Sequence, residues 1–160
     1  MQTIILDQYF LAKYAVGQIS PKQVVDFAHQ SMMDGIYSDS LLDIIDMEPP
    51  NSVSVFDPFE LYLAKNQIKT PSVQEATQFF LRFHIKKMAS GEFNPYSRCK
   101  KLLADIEYVS LHEGITKYAG DNLGIEFIYA WYYEDYESME DINKNLKIES
   151  QKWLEKQSLC

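Results

Sequence analysis

The densest group of side chains that could do chemistry lies in residues 125–141, IEFIYAWYYEDYESMED, where six aromatic residues and six carboxylates occupy seventeen positions without a Lys or Arg. Carboxylates can hold metals, move protons or attract cations, and a tyrosine combines a large apolar area with a hydroxyl. A di-metal helical bundle needs Glu-x-x-His pairs on several helices, and the sequence contains none. We therefore predict no metal ligands and no cofactor, and two interpretations of the stretch stay open: a core helix edged with acid, or a face that grips a partner.

Other reactive side chains form no recognisable site. The three histidines, His29, His84 and His112, have no ligand spacing, and His84 falls within the apolar face of a predicted helix. Cys99 precedes two lysines that could lower the pKa of its thiol, but no Gly-x-Ser-x-Gly elbow or phosphate-binding glycine pattern occurs. We predict no catalytic residues and no enzyme. The alternative is a small helical enzyme with a pocket near His84, His112 and Cys99.

Charge is segregated along the chain. The net charge is −8, with eight acidic and no basic residues between Lys22 and Lys65, and seven acidic and no basic residues between Lys117 and Lys144. Between these blocks, basic residues outnumber acidic ones. An acidic chain is poorly suited to nucleic acid or anionic lipid, so we expect neither as a partner. Without an apolar span or a recognisable leader, we expect a cytoplasmic protein.

Helix signals recur along all 160 residues. Four pairs place a capping side chain before a proline that suits the first helical position: Ser20-Pro21, Asp57-Pro58, Thr70-Pro71 and Asn94-Pro95. Ser38 and Ser138 are further N-caps, the latter with Asp141 placed for a capping box. The pattern predicts an all-α, compact bundle of about seven to nine short helices in a single domain, 1–160, with 1–69 and 70–160 as alternative halves.

Three boundaries follow from the same signals. The segment SVSVF, residues 52–56, alternates but is short and follows two prolines, so we interpret it as a loop. The period of polar residues predicts a mostly buried helix over 71–89. Residues 125–137 are treated as one helix, whose aromatic arc is wider than the arc of little over 100° that a surface helix buries.

An internal similarity appears when the chain is shifted by 74 positions. Gly17 then matches Gly91, and Pro21 matches Pro95. Both segments have the same order of features: a helix, a glycine, an apolar residue that fills the turn, a capping residue, a proline and a second helix. Two pseudo-repeated helical units are one explanation. The other explanation is that helical hairpins commonly have this order of residues.

The segment MASGEFNPYSRCKKLL, residues 88–103, with GQISPKQVVDFA, residues 17–28, as an N-terminal echo, resembles an element of small all-helical bacterial proteins of uncharacterised families. Some of these are immunity proteins encoded near polymorphic toxins or contact-dependent growth inhibition systems. The resemblance covers about residues 73–158, rests on helix punctuation and carries over no functional residues. It implies an all-helical fold and a toxin domain as partner.

We therefore expect an immunity-type binding protein that neutralises a bacterial toxin by docking an acidic, aromatic-rich surface on a basic protein. The predicted partner-binding residues are Tyr129, Trp131, Tyr132, Tyr133, Glu134, Asp135, Tyr136 and Glu137, with Asp39, Asp43 and Asp46 as a second acidic contact. A nucleic-acid mimic of the anti-restriction or anti-CRISPR type is the alternative within the binding class. A homo-oligomer, with the basic middle of one chain meeting the acidic ends of another, also stays open.

Overall fold

The computed structural model describes residues 6–47, 52–112 and 123–159. These residues form eight α-helices and no strand, which confirms the predicted all-α class. None of the described helices combines the length and the apolar character that crossing a membrane requires.

The chain divides into two compact units, Met1–Ser72 and Val73–Cys160, whereas the halves suggested by the sequence meet at 69/70. Unit 1 contains α1 (Gln8–Ala15), α2 (Pro21–Met33), α3 (Asp39–Ile45) and α4 (Ser52–Lys65). Unit 2 contains α5 (Val73–Ser90), α6 (Pro95–His112), α7 (Glu126–Tyr132) and α8 (Met139–Ser158).

Unit 1 is organised around the fully buried ring of Phe59 on α4. The rings of Phe10 and Tyr14 from α1 and of Phe27 from α2 meet it edge-on, with centroids 5.0–6.1 Å away. Edge-to-face pairs of this kind add to the stabilisation from buried area. The short helix α1 is thereby fastened to α2 and α4.

Two of the predicted N-caps of unit 1, Ser20 and Ser38, are present. Ser20 accepts a hydrogen bond from the Gln23 backbone N–H, and the Gln23 side chain accepts one from the Ser20 N–H, which completes a capping box before α2. Ser38 Oγ accepts from the Leu41 N–H and begins α3. Each bond joins residues three apart, so local sequence alone specifies it.

The prediction for residues 52–58 was wrong. Residues 52–56 are helical, and Pro58 lies inside α4 instead of at its first position. An interior proline costs about 3 kcal/mol. Val55, Phe59 and Leu63, one helical turn apart, are all buried and contribute about 1.5–3 kcal/mol each, so burial outweighs the proline.

In unit 2, α5 packs against α6 and α8, and α7 packs against α6 and α8. A buried polar pair crosses the α5–α6 interface: His84 Nε2 lies 2.8 Å from Asp105 Oδ2, and both side chains are almost fully shielded from solvent. The imidazole N–H donates to the carboxylate in this geometry. This confirms His84 on the buried face of its helix.

Two asparagines cap the start of α6. Asn94 Oδ1 accepts from the Ser97 N–H at 2.9 Å, as its place before Pro95 predicts, and Asn143 Oδ1 of α8 accepts from the Tyr96 N–H at 2.9 Å. The second cap is a tertiary contact between residues far apart in sequence. It fixes the backbone at Tyr96.

The other two helix starts of unit 2 differ in how well they were predicted. Ser138 Oγ accepts from the Asp141 N–H at 3.1 Å and also donates to Asp141 Oδ2 at 2.6 Å, so α8 begins where expected. The helix predicted from Pro71 begins instead at Val73, immediately after Ser72. The predicted start was therefore two residues too early.

The two segments related by the 74-residue shift share the backbone conformation of their glycines but differ in the burial of the apolar residues that follow. Gly17 and Gly91 both have the positive φ, 74° and 78°, at which a side chain is strained. The apolar residue two positions after each glycine differs in exposure, since Ile19 is buried and Phe93 is 40% exposed. A shared turn is therefore observed, and repetition of the whole unit stays a prediction.

Removing the buried carboxylate tests what joins α5 to α6. We expect Asp105→Ala to lower the free energy of unfolding of unit 2 by about 3 kcal/mol, because His84 is then buried without the acceptor 2.8 Å away. Lys101→Ala, an exposed position on the same helix, should change it by less than about 0.5 kcal/mol. Urea unfolding followed by circular dichroism measures both, and a loss below 1 kcal/mol for Asp105→Ala would contradict the assignment.

Candidate protein-interaction surface

The aromatic stretch is not one continuous helix, which corrects the treatment of 125–137 as a single wheel. Helix α7 ends at Tyr132, with Tyr133 as its C-cap, and the chain leaves helical geometry before Ser138 begins α8. Carboxylates are unfavourable at the negative end of a helix, and residues 134–137 contain three. Glu134 Oε1 instead accepts from the Tyr136 N–H at 3.0 Å, which stabilises a turn.

Helix α7 buries only a narrow face. Ile125 and Ile128 are shielded almost completely, whereas Phe127 on the opposite side is 58% exposed. The helix is fixed near its start by Trp153, whose Nε1 donates to the Leu123 carbonyl at 3.4 Å. The interpretation as a fully surrounded core helix is therefore wrong for α7.

Four tyrosines form a continuous cluster at the end of α7, which we call the tyrosine cluster: Tyr96, Tyr129, Tyr132 and Tyr133. Tyr132 stacks on Tyr96 with centroids 4.8 Å apart and rings inclined by 20°. Tyr133 meets Tyr132 edge-on at 4.9 Å and Tyr129 at 4.7 Å. The rings hold one another in place, so they lose little conformational freedom if a partner covers them.

Contacts within the cluster also affect the hydroxyl groups. Hydrogen bonding to Tyr129, followed by desolvation, raises the pKa of Tyr133 to about 12. Burial, followed by the neighbouring Tyr96 hydroxyl, raises the pKa of Tyr132. Both phenols are therefore neutral at physiological pH and available as hydrogen-bonding groups.

Three carboxylates follow this cluster directly in the chain and lack cationic partners. Within residues 6–47, 52–112 and 123–159, no Lys, Arg or His nitrogen lies within 4.0 Å of the carboxylates of Glu134, Asp135 or Glu137. A further carboxylate, Glu107 of α6, is close enough to act electrostatically on Tyr132 and Tyr133. The cluster therefore has one carboxylate beside its rings, and three more follow it in residues 134–137.

The exposure of these residues supports a surface role. Tyr136 is 97% and Tyr133 50% exposed, and Trp131, Tyr132 and Tyr129 are half-buried. We call the tyrosine cluster together with Glu107 and residues 134–137 the acidic–aromatic surface. It contains seven of the eight residues predicted in unit 2, which are Tyr129, Tyr132, Tyr133, Glu134, Asp135, Tyr136 and Glu137, and in addition Tyr96 and Glu107. The eighth, Trp131, lies about 200° around α7 from Tyr129, and none of the ring contacts of the cluster includes it. Sequence reasoning missed Tyr96 and Glu107, because their proximity arises from packing of α6 against α7.

The second predicted acidic group lies in unit 1. Asp39, Leu42, Asp43 and Asp46 occupy one exposed stripe of α3. Asp43 and Asp46 line an open cleft of about 490 Å³ with Asp57 of α4, whereas Asp39 does not. The predicted site residues therefore fall in two groups, one in each unit.

The basic segment between the acidic blocks is partly engaged with aromatic rings of its own unit. Lys87 Nζ lies 4.2 Å from the ring centroid of Phe83 and 5.1 Å from that of Phe93, and the Arg98 guanidinium lies 4.9 Å from the Phe93 ring. Cation–π contacts of this kind stabilise by about 0.5–1 kcal/mol at exposed sites. They explain why Phe93 is tolerated at the surface.

The structure describes the side chains of two of the three residues in the alternative enzyme pocket. His84 and Cys99 are completely buried, and the side chain of His112, the last residue of α6, lies outside the described part of the chain. Desolvation raises the pKa of the Cys99 thiol to about 12, so the lysines that follow it do not generate a thiolate. Among the described residues, no three His, Cys, Asp or Glu side chains are grouped to hold a metal.

Comparisons with protein-family models, curated proteins and solved structures found no match for this chain. Function is therefore argued from the geometry and charge of the acidic–aromatic surface.

The Tyr129 hydroxyl is expected to control the titration of Tyr133. In Tyr129→Phe, the pKa of Tyr133 should fall from about 12 towards the ordinary value of 10.0, because the largest cause of its elevation is removed. Because folding raises the pKa of Tyr133, its neutral hydroxyl stabilises the folded state below pH 10, and this stabilisation is lost as the pH rises towards 12. The loss should be smaller in Tyr129→Phe. Carbon-13 NMR of the Tyr133 ring measures the titration, with Tyr37→Phe as control; a wild-type midpoint at or below 10.0 would refute the assignment.

Burial should make Cys99 inert. In a Cys160→Ser background, iodoacetamide at about pH 8 should not alkylate the native protein over hours, but should react fully in guanidinium, because only unfolding gives the thiol its ordinary pKa. Intact-mass spectrometry counts the adducts. Alkylation of the native protein at a rate near that of the unfolded chain would show an accessible thiolate.

Proposed function

We propose that this chain is an immunity-type protein that binds a cognate bacterial toxin domain and neutralises it by occlusion. The observation that carries the proposal is the tyrosine cluster, whose rings pack on one another and are partly exposed, and which is followed in the chain by carboxylates that lack cationic partners among the described residues. Rigid aromatic area bordered by charge is the arrangement that forms interaction hot spots.

The carboxylates supply the first step, which is encounter. Glu134, Asp135 and Glu137 add local negative potential to a chain of net charge −8, so a basic surface is attracted over a distance of about one Debye length. Such steering raises the association rate and weakens with salt. The partner that suits it is a toxin domain with a basic surface, and the compartment we propose is the cytoplasm, where such a toxin acts.

The aromatic rings supply the second step, which is slow dissociation. Tyr133 and Tyr136 expose apolar ring area together with hydroxyls, and the half-buried rings of Tyr129 and Tyr132 add further area beside Tyr133. When a partner excludes water from these rings, each can contribute the 2 kcal/mol or more that is typical of a hot spot. Exposed rings between the carboxylates favour a protein partner over nucleic-acid mimicry, since a mimic needs rows of carboxylates instead.

We expect the gene immediately upstream to encode a large secreted protein with a variable C-terminal domain, and the test uses that domain as the toxin. Surface plasmon resonance with the full chain should give nanomolar affinity and an association rate that falls steeply with salt. Tyr133→Ala and Tyr136→Ala should each weaken binding about tenfold or more, mainly through faster dissociation. Glu134→Lys should slow association about threefold or more at low salt.

Two matched variants make this result specific to the surface. Glu155→Lys makes the same charge change at an exposed position of α8, and Tyr37→Ala removes an equally large exposed ring in unit 1. Neither should change affinity by more than about twofold. The assignment of the site would be contradicted if Glu134→Lys and Glu155→Lys had equal effects, or if Tyr133→Ala and Tyr136→Ala left binding unchanged. Self-association with no toxin binding would favour the homo-oligomer instead.

A further inference from the structure

A second feature of interest is an open cleft of about 480 Å³ within unit 1, where the end of α1 meets α4. Its lining includes Tyr14 and Gly17 from α1 and its turn, Ile19, and Phe56 and Glu60 from α4. The volume is within the range of small-molecule sites. None of the residues assigned to the acidic–aromatic surface lines it.

Among the described residues that line this cleft, Glu60 carries the charged group and is exposed to solvent, and Tyr14 and Thr70 contribute hydroxyls. The Tyr14 hydroxyl donates to Glu60 Oε1 at 3.0 Å, which orients the carboxylate. Across the part of the chain that the structure describes, no Lys, Arg or His nitrogen lies within 4.0 Å of Glu60. Burial, Glu60 and then Asp57 raise the pKa of Tyr14, in line with a locally negative environment.

The apolar walls of the cleft suit a cation as well as an alkyl chain. The rings of Tyr14 and Phe56 both line the cleft, with centroids 6.0 Å apart and planes inclined by 36°, so aromatic area is present in the same cleft as the carboxylate. Aromatic faces attract ammonium and guanidinium groups, most strongly when water is excluded. The single basic residue of α1, Lys13, lies over a different ring, that of Tyr9, at 5.2 Å.

The backbone adds to the negative potential. The cleft contains Ala15 and Gly17 at the C-terminal end of α1, where the helix dipole carries partial negative charge. Gly17 ends the helix with φ 74°, and the Gln18 N–H donates to the Lys13 carbonyl at 2.8 Å. A carboxylate, two aromatic rings and a helix C-terminus therefore favour positive charge at the same place.

We propose that this cleft binds an organic cation, an alkylammonium or alkylguanidinium group, whose charge pairs with Glu60 and whose aliphatic part packs on Phe56 and Ile19. The group belongs either to a free small amine or to a Lys or Arg side chain of a peptide. This site does not rest on the proposed function, since none of the residues predicted to bind the toxin lines the cleft, including Asp39, Asp43 and Asp46 of unit 1.

The test is a proton–nitrogen NMR titration of the full chain with n-butylamine, agmatine and Nα-acetyl-lysine N-methylamide, each at neutral pH. We expect shifts of the Ala15, Gly17 and Ile19 amides with a Kd of about 1 mM, the affinity expected for so few ligand atoms. 1-Butanol, which has the same alkyl chain without charge, should bind about tenfold more weakly. Tighter binding of blocked lysine than of the free amines identifies a side chain as the ligand, and the reverse identifies a small amine.

Two variants separate a built site from general attraction to an acidic chain. Glu60→Gln keeps the acceptor for Tyr14 but removes the charge, and should weaken n-butylamine binding about fivefold. Asp43→Asn removes the same charge in the other cleft of unit 1 and should leave the Kd unchanged. The proposal is overturned if 1-butanol binds as well as n-butylamine, if no amide of the cleft shifts, or if both variants weaken binding equally. None of these outcomes depends on a toxin partner.

Discussion

The contact between the Tyr132 and Tyr96 rings, 4.8 Å apart, fixes the end of α7 against the start of α6. Helix α7 has only two turns and buries two isoleucines, too little apolar area to define its position alone. It is therefore held from both ends, by Trp153 of α8 near its start and by Tyr96 at its finish. Because Asn143 of α8 also caps the backbone at Tyr96, three helices converge on the point from which the acidic–aromatic surface is displayed.

Among the described residues, the carboxylates of residues 134–137 have no cationic partner, whereas Asp26 and Glu149 pair with Lys22 and Lys152. Glu134, Asp135 and Glu137 follow the tyrosine cluster in the chain, and Lys87 and Arg98 of the same unit contact the Phe93 ring instead. Unpaired surface carboxylates add repulsion to the folded state and contribute nothing to its packing. The negative electrostatic field of these carboxylates can attract a basic partner, and this is the role that we propose for them.

Local chemistry explains which features were predictable from the sequence. The caps at Ser20, Ser38, Asn94 and Ser138 link residues three apart, so a short window of sequence specifies them. The same rules were wrong at Pro58, because burial of its neighbours outweighs the proline penalty. Aromatic exposure was the hardest feature to predict. A helical wheel assumes that the helix continues, whereas α7 ends at Tyr132, and Tyr96 joins the cluster only through packing of distant segments.

The central claim is that the acidic–aromatic surface is the docking face for a basic protein. Hydroxyl-radical footprinting of the chain, alone and in complex with the upstream-encoded toxin domain, tests it by reading each side chain separately. Tyr133 and Tyr136, exposed in the chain alone, should be oxidised several-fold more slowly in the complex, and Tyr37, 74% exposed in unit 1, should be oxidised at an unchanged rate. Protection of Tyr37, with Tyr133 and Tyr136 oxidised as fast as in the chain alone, would contradict the account.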